Sequence, residues 1–142
     1  MRLFSFFKQE IAIDLGTANT LIIQGDKVVV DEPSIVAINR KTGEVMAVGR
    51  KAMQMHEKTH EDIKTIRPLK DGVIADFQAA ENMIKGMINM MGTRRRFLSH
   101  MKMVICIPSG ITEVEKRAVF ESADHVDSRE TYLINEPMAA AL

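Results

Sequence analysis

At 142 residues, 46% of them hydrophobic, the chain has enough apolar material for one compact domain, which excludes a disordered polymer. Lys plus Arg and Asp plus Glu balance at 19 each, and with no Trp and one Tyr the chain lacks both the positive field and the stacking platforms of a nucleic-acid binder. No apolar run approaches the roughly 20 residues that span a bilayer, and the single Cys106, set among Val104, Ile105 and Ile107, cannot form an internal disulfide and reads as a buried strand thiol from a reducing compartment.

The first eight residues are interrupted by Arg2 and Ser5 and lack a small-residue cleavage site, so they are expected to be retained and not removed as a signal peptide. On a helix, Leu3, Phe4, Phe6 and Phe7 fall opposite Arg2, Ser5 and Lys8, a pattern suited to a membrane interface. Residues 11–13 and 21–23 are short apolar runs separated by turn chemistry at Gly16-Thr17-Ala18-Asn19. Gly25-Asp26 then turns the chain into residues 28–30. These three strands form an antiparallel opening, which Glu32-Pro33 breaks.

Residues 34–72 read as a small inserted lobe: strands at 35–38 and 44–48 about a turn at Lys41-Thr42-Gly43, a helix over 50–60, and irregular backbone at Arg67-Pro68 and Asp71-Gly72. Ala80, Met83, Ile84, Met87, Ile88 and Met91 recur at helical spacing and end near Gly92. Residues 103–107 are apolar without interruption, as a strand covered on both faces would be. Pro108-Ser109-Gly110 leads into a helix whose capping box is Thr112 and Glu115, and which should carry Val119, Phe120, Ala123 and Val126 inward. Residues 132–134 form the last strand, after which Pro137 suits a first helical position and the sequence is expected to stop inside a helix.

Chemistry concentrates at Asp14-Leu15-Gly16-Thr17-Ala18-Asn19-Thr20. A tight turn presents successive backbone N–H groups to an anion, Gly16 permits close approach, and Thr17 and Asn19 add side-chain donors. Asp14, at a strand's carboxyl end, is placed to hold a hydrated Mg²⁺. An ordinary polar hairpin turn accounts for these seven residues equally well. Two further segments, beginning at Pro108-Ser109-Gly110 and Asn135-Glu136-Pro137, also place polar residues at strand ends, where α/β sheets gather ligands.

Together with residues 66–76, which read Ile-Arg-Pro-Leu-Lys-Asp-Gly-Val-Ile-Ala-Asp, these motifs stand in the order found in the MreB family of bacterial actins, and the resemblance covers essentially the whole chain. DnaK-type chaperones share Asp14-Leu15-Gly16-Thr17 and Asn135-Glu136-Pro137. They typically carry threonine where Ala18 and Met138 stand, and they lack the stretch from Ser109 to Glu113.

The resemblance implies an α/β fold: the N-terminal lobe of an actin-like ATPase of ribonuclease H-like type, a mixed sheet with three antiparallel strands followed by parallel strand-helix units. Residues 1–10 would be an amphipathic segment, 11–33 and 73–142 an incomplete subdomain IA, and 34–72 an inserted α+β subdomain IB. It further implies ATP with Mg²⁺ as cofactor, with phosphate contacts from Gly16, Thr17, Ala18 and Asn19. Asp14 would support Mg²⁺ through water, and Glu136 would position the water that attacks the γ-phosphate. An apolar membrane loop would fall at Phe97-Leu98, behind Arg94, Arg95 and Arg96.

The implied function is a filament former that sets cell shape by organising peptidoglycan synthesis at the inner face of the cytoplasmic membrane. Its partners would be its own copies and the wall-elongation machinery, including MreC and RodZ. The implied second phosphate loop, second Mg²⁺-side aspartate and adenosine pocket lie beyond this sequence. The 142 residues alone are therefore expected to bind ATP weakly and hydrolyse it negligibly, and a non-catalytic assembly or membrane-binding fragment is the alternative function.

One departure from the family is Val126-Asp127-Ser128, where a glycine is usual; Asp127 would have to adopt a left-handed conformation. A rival motif is His56-Glu57-Lys58-Thr59-His60, which matches the H-E-x-x-H of zinc metalloproteases. Its charged surroundings and the absence of an obvious third ligand favour a solvated helix face.

Overall fold

The computed structural model of the chain describes residues 9–58, 60–92, 101–125 and 128–135. Strands β1 (Gln9–Leu15), β2 (Asn19–Gln24) and β3 (Lys27–Pro33) form the antiparallel opening, joined by hairpins at 16–18 and 25–26. Glu32-Pro33 does not break this sheet. Pro33 lies opposite Asn19 at the end of the outermost ladder, an edge position where the missing N–H removes no hydrogen bond.

Beyond β3 the chain builds a second, three-stranded sheet from β4 (Val36–Asn39), β5 (Val45–Val48) and β6 (Ile63–Ile66), in the order β5-β4-β6. Helix α1 (Arg50–Glu57) packs on it through Ala52 against Ile35 and Ala37. The expected helix over 50–60 therefore ends earlier: Lys58 is already extended, and the remaining residues turn toward β6, a strand that the sequence reading passed over. The helix starts at Gly49, whose φ of 65° is a left-handed value that suits glycine. There the Glu32 carboxylate accepts the Arg50 N–H at 2.5 Å, capping α1 from the main sheet.

Residues 67–72 are more regular than expected. Strands β7 (Leu69–Lys70) and β8 (Val73–Ile74) make a minimal hairpin whose turn residues, Asp71 and Gly72, have φ of 52° and 75°. Positive φ at both central positions is what a two-residue hairpin of the right-handed twist demands, and Asp-Gly meets it.

The chain then rejoins the first sheet. Helix α2 (Phe77–Met90) is capped by the Asp76 carboxylate, which accepts the Ala79 N–H at 2.9 Å, and buries Ala80, Met83, Ile84, Met87 and Ile88 as their spacing predicts. Strand β9 (Met101–Ile107) enters parallel to β1, and β10 (Glu130–Asn135) enters parallel to β9, giving the order β10-β9-β1-β2-β3. Helix α3 (Glu113–Asp124) connects them and packs beside α2. Its capping box is present as expected.

Two expectations are corrected here. β9 alternates between buried Met101, Met103, Ile105 and Ile107 and half-buried Lys102, Val104 and Cys106, so among the described residues only one face is fully covered and Cys106 is half-buried. Phe120 does not point inward but is 44% exposed, because the buried stripe of α3 runs through Glu115, Val119, Ser122 and Ala123, at i, i+4, i+7 and i+8. Val126 and Asp127 lie outside the described residues. The main core fills the space between the five-stranded sheet and the pair α2 and α3, where Ile11, Ile13, Ile22, Met103 and Ile105 meet Met83, Ile84, Met87 and Val119.

Candidate functional site

The parallel ladders fix which residues share an edge. Asp14 lies level with Cys106 and Cys106 with Ile134, so the carboxyl ends of β1, β9 and β10 open side by side, carrying the turn at 16–18, Pro108-Ser109-Gly110 and Asn135. This is the position at which a parallel sheet leaves a crevice for ligand.

The turn at 16–18 is held from behind by two buried hydroxyl residues. Ser34 Oγ donates to the Gly16 carbonyl at 2.7 Å and lies 2.9 Å from Thr20 Oγ1, and the Ser34 N–H donates to the Ala18 carbonyl at 2.8 Å. Each hydroxyl has one hydrogen, so with Ser34 committed to Gly16, the Thr20 hydroxyl donates to Ser34. Ser34 and Thr20 are both 0% exposed. At Gly16 any Cβ would collide with the Asn19 carbonyl, so the closure of the turn requires glycine there.

A third wall comes from the β7-β8 hairpin. The Gly72 N–H donates to Thr17 Oγ1 at 3.2 Å, and a Cβ on Gly72 would touch Pro108 at 3.7 Å. The Glu115 carboxylate accepts the Thr112 N–H at 2.6 Å and the Thr112 hydroxyl at 2.7 Å, and the Ile74 backbone N–H adds to the pull on its charge. These donors, the Thr112 backbone first, lower the Glu115 pKa below its ordinary 4.5. The hairpin is thus tied to the β1 turn and lies beside Pro108, before the start of α3. Sequence reasoning took neither it nor Ser34 as part of the site, although Asp71-Gly72 is a strong hairpin signal.

Among the expected phosphate contacts, Thr17, Ala18 and Asn19 are all exposed at the crevice edge. Thr17 Oγ1 accepts from Gly72, which leaves its own hydrogen available for an anion. Asn19 spends one of its two amide hydrogens on Asp31 Oδ1 at 3.1 Å. Asp14 is half-buried at the end of β1. One carboxylate beside a turn of N–H groups fits a hydrated Mg²⁺-phosphate, because that ion retains most of its waters.

A model of the MreB/Mbl protein family matches residues 8–142. The chain belongs to the MreB/Mbl family. It is 46% identical over 137 residues to the cell shape-determining protein Mbl of Bacillus subtilis (strain 168), an alignment covering 96% of this chain and 41% of Mbl. It is 45% identical over 141 residues to the cell shape-determining protein MreB of Escherichia coli (strain K12), covering 96% of this chain and 41% of that protein. The chain thus spans about two-fifths of the length of these relatives.

Among solved structures, MreB5 of Spiroplasma citri bound to AMPPNP superposes with a TM-score of 0.80 at 37% identity, over 94% of this chain and 40% of MreB5. The ADP-bound form of MreB5 gives the same values. A non-polymerising MamK mutant bound to AMPPNP has a TM-score of 0.73 at 19% identity, over 92% of this chain and 42% of that one, a likeness of fold. The actin-like α/β fold implied by the sequence motifs of this MreB/Mbl chain is therefore the fold observed.

The expected catalytic Glu136 and the expected membrane residues Leu3, Phe4, Phe6, Phe7, Phe97 and Leu98 lie outside the described residues. The rival zinc motif does not keep its helical spacing. His56 is in the last turn of α1 with its Nδ1 2.6 Å from Thr65 Oγ1, whereas His60 lies past the helix end. Among the described residues no group of three or more His, Cys, Asp or Glu is placed to hold a metal ion.

Proposed function

We propose that this chain supplies the first wall of an adenine-nucleotide site in an actin-like protein that polymerises and determines cell shape. The observation that carries the reading is the shared edge: β1, β9 and β10 end level with one another, with a glycine-closed turn and one carboxylate at the same rim. The nucleotide-bound MreB5 structures support it.

In this reading the N–H groups and hydroxyl of Gly16, Thr17, Ala18 and Asn19 face the phosphates, and Asp14 accepts hydrogen bonds from the waters of Mg²⁺. Bound Mg²⁺ and ATP supply charge neutralisation and the transferable phosphoryl group. Glu136, directly after β10, orients the attacking water, a role that positioning alone fulfils in phosphoryl transfer. In the same reading the five-stranded sheet belongs to subdomain IA, assigned to 11–33 and 73–142, and the three-stranded sheet to IB, assigned to 34–72, with the β7-β8 hairpin across their boundary.

Calorimetry on the purified chain tests the first wall: weak ATP binding with negligible turnover is expected, and tight binding contradicts the half-site reading.

Filament formation, location at the inner face of the cytoplasmic membrane, organisation of peptidoglycan synthesis and contacts with MreC and RodZ complete the proposal. For the membrane, Leu3, Phe4, Phe6 and Phe7 with Phe97 and Leu98 are the insertion residues. Burial of Phe97 and Leu98 contributes up to about 1.5–3 kcal/mol each, and repetition along a filament multiplies a weak contact. Liposome co-sedimentation checks this part: deleting residues 1–8 and replacing Phe97 and Leu98 with serine should abolish binding, and unchanged binding removes the membrane role.

A further inference from the structure

At the C-terminal end of α1, that helix, Arg40 just after β4 and strand β6 line an open pocket of about 250 Å³. Its lining includes Arg40, His56, Lys58, His60, Lys64 and Thr65, and no carboxylate is among its described lining. Three permanent cations and two imidazoles line one open concavity, so its surface favours an anion. The neighbouring Asp62 does not serve as that anion, because it is paired with Lys41 at 2.8 Å on the outer surface.

Two of these groups are already oriented. Arg40 Nε donates to the Ile63 carbonyl at 3.2 Å, which fixes the guanidinium and leaves its terminal N–H groups available. His56 is anchored through Nδ1 to Thr65 Oγ1, leaving Nε2 as its second hydrogen-bonding atom. Preoriented donors lose less freedom on binding than free side chains do.

The volume suits a small ligand. Pockets for drug-sized molecules run from about 300 to 1,000 Å³, and this one is smaller, at about 250 Å³. At about 30 Å³ per water it holds a tetrahedral oxyanion and a few waters.

We propose that the pocket formed by Arg40, His56, Lys58, His60 and Lys64 is a second anion site, taking a phosphate dianion, either free or as the head of a phosphomonoester. It is separate from the nucleotide turn and does not depend on that reading.

The test is a nitrogen-15 titration of the purified chain, without nucleotide, using potassium phosphate against potassium chloride at matched ionic strength. Saturable shifts in phosphate at the Arg40, Lys64 and Thr65 amides and the His56 ring, absent in chloride, are expected. The double variant Lys58→Gln/Lys64→Gln should weaken half-saturation at least about tenfold, the scale of one charge-assisted contact. Both positions are exposed, so the fold should survive. If it does not, Arg40→Lys, which keeps the charge but loses the fork, should weaken binding in the same direction.

Vesicles of phosphatidylcholine with and without phosphatidic acid identify the source. Phosphatidic-acid-dependent sedimentation that the double variant loses assigns a lipid head, and sedimentation indifferent to phosphatidic acid alongside saturable phosphate shifts assigns the free anion. Equal shifts in chloride, shifts confined to residues 16–19, or a double variant that binds phosphate like the parent overturns the proposal.

Discussion

The side chain of Thr17, in the turn after β1, accepts a hydrogen bond from the backbone N–H of Gly72, 55 residues later, at 3.2 Å. That contact ties the phosphate-facing turn to the β7-β8 hairpin. Replacing Thr17 with Val removes the acceptor but keeps the shape, and should cost about 0.5–1.5 kcal/mol. It should also raise the hydrogen-exchange rate of the Gly72 amide; Thr17→Ser should preserve both. Equal Gly72 exchange in the Val and Ser variants would show that the contact does not hold the hairpin.

Ser34 tests the back of the same turn. Ser34→Ala leaves the Gly16 carbonyl without that donor and the buried Thr20 hydroxyl without its acceptor. Each unsatisfied buried group costs about 1–3 kcal/mol. Urea denaturation should show a loss of at least about 1 kcal/mol at unchanged m-value.

Gly86, in the middle of α2, should invert the usual propensity rule. A helical Gly→Ala change normally gains about 1 kcal/mol. Here the new Cβ would sit 2.6 Å from Val48 Cγ2, and overpacking of this kind costs about 1–3 kcal/mol. Gly86→Ala should therefore destabilise the parent but stabilise a Val48→Ala background. A double-mutant cycle showing no coupling between the two sites would refute the close packing of α2 on β5.

Glu115 predicts a pH dependence with a definite sign. Its folded pKa lies below the ordinary 4.5 because the Thr112 N–H, the Thr112 hydroxyl and the Ile74 N–H favour the carboxylate. The unfolded chain therefore binds the proton more readily. The stabilisation is fully present above pH 4.5 and is lost as pH falls through the lower folded value. Glu81, lowered chiefly by its hydrogen bond from Lys85, and Glu130, lowered chiefly by that from Lys102, act in the same direction. Glu115→Gln should consequently reduce, without abolishing, the loss of stability between neutral and acid pH. An unaltered slope would mean that Glu115 is not held as drawn.

Much of this fold is legible in the sequence because local and tertiary demands agree there. The α2 stripe, the Thr112-Glu115 capping box and the three opening strands each satisfy a period or a cap within a few residues. Failures arise where partners are distant. β6 is four residues long and exists as a strand only because β4 pairs with it. Phe120 fits an apolar pattern but falls off the buried stripe of α3, which takes in Glu115 because Thr112 satisfies its carboxylate. At the candidate site the Asp14 turn announces itself through glycine and hydroxyl residues in one run. Ser34, 18 residues from Gly16, carries no such local signature, and Asp71-Gly72 announces a hairpin but not its contact with Thr17, 55 residues away.

The most direct test of the account follows the backbone amides of Gly16, Thr17, Ala18 and Asn19 by nuclear magnetic resonance, as AMPPNP with Mg²⁺ is added to the purified chain. The account predicts saturable shifts centred on these residues and on Gly72. Asp14→Asn should weaken them when Mg²⁺ is present and change them little when it is withheld. Unmoved amides at saturating nucleotide, or an Asp14→Asn variant with the same affinity whether or not Mg²⁺ is present, would contradict the placement of phosphate and Mg²⁺ at this turn.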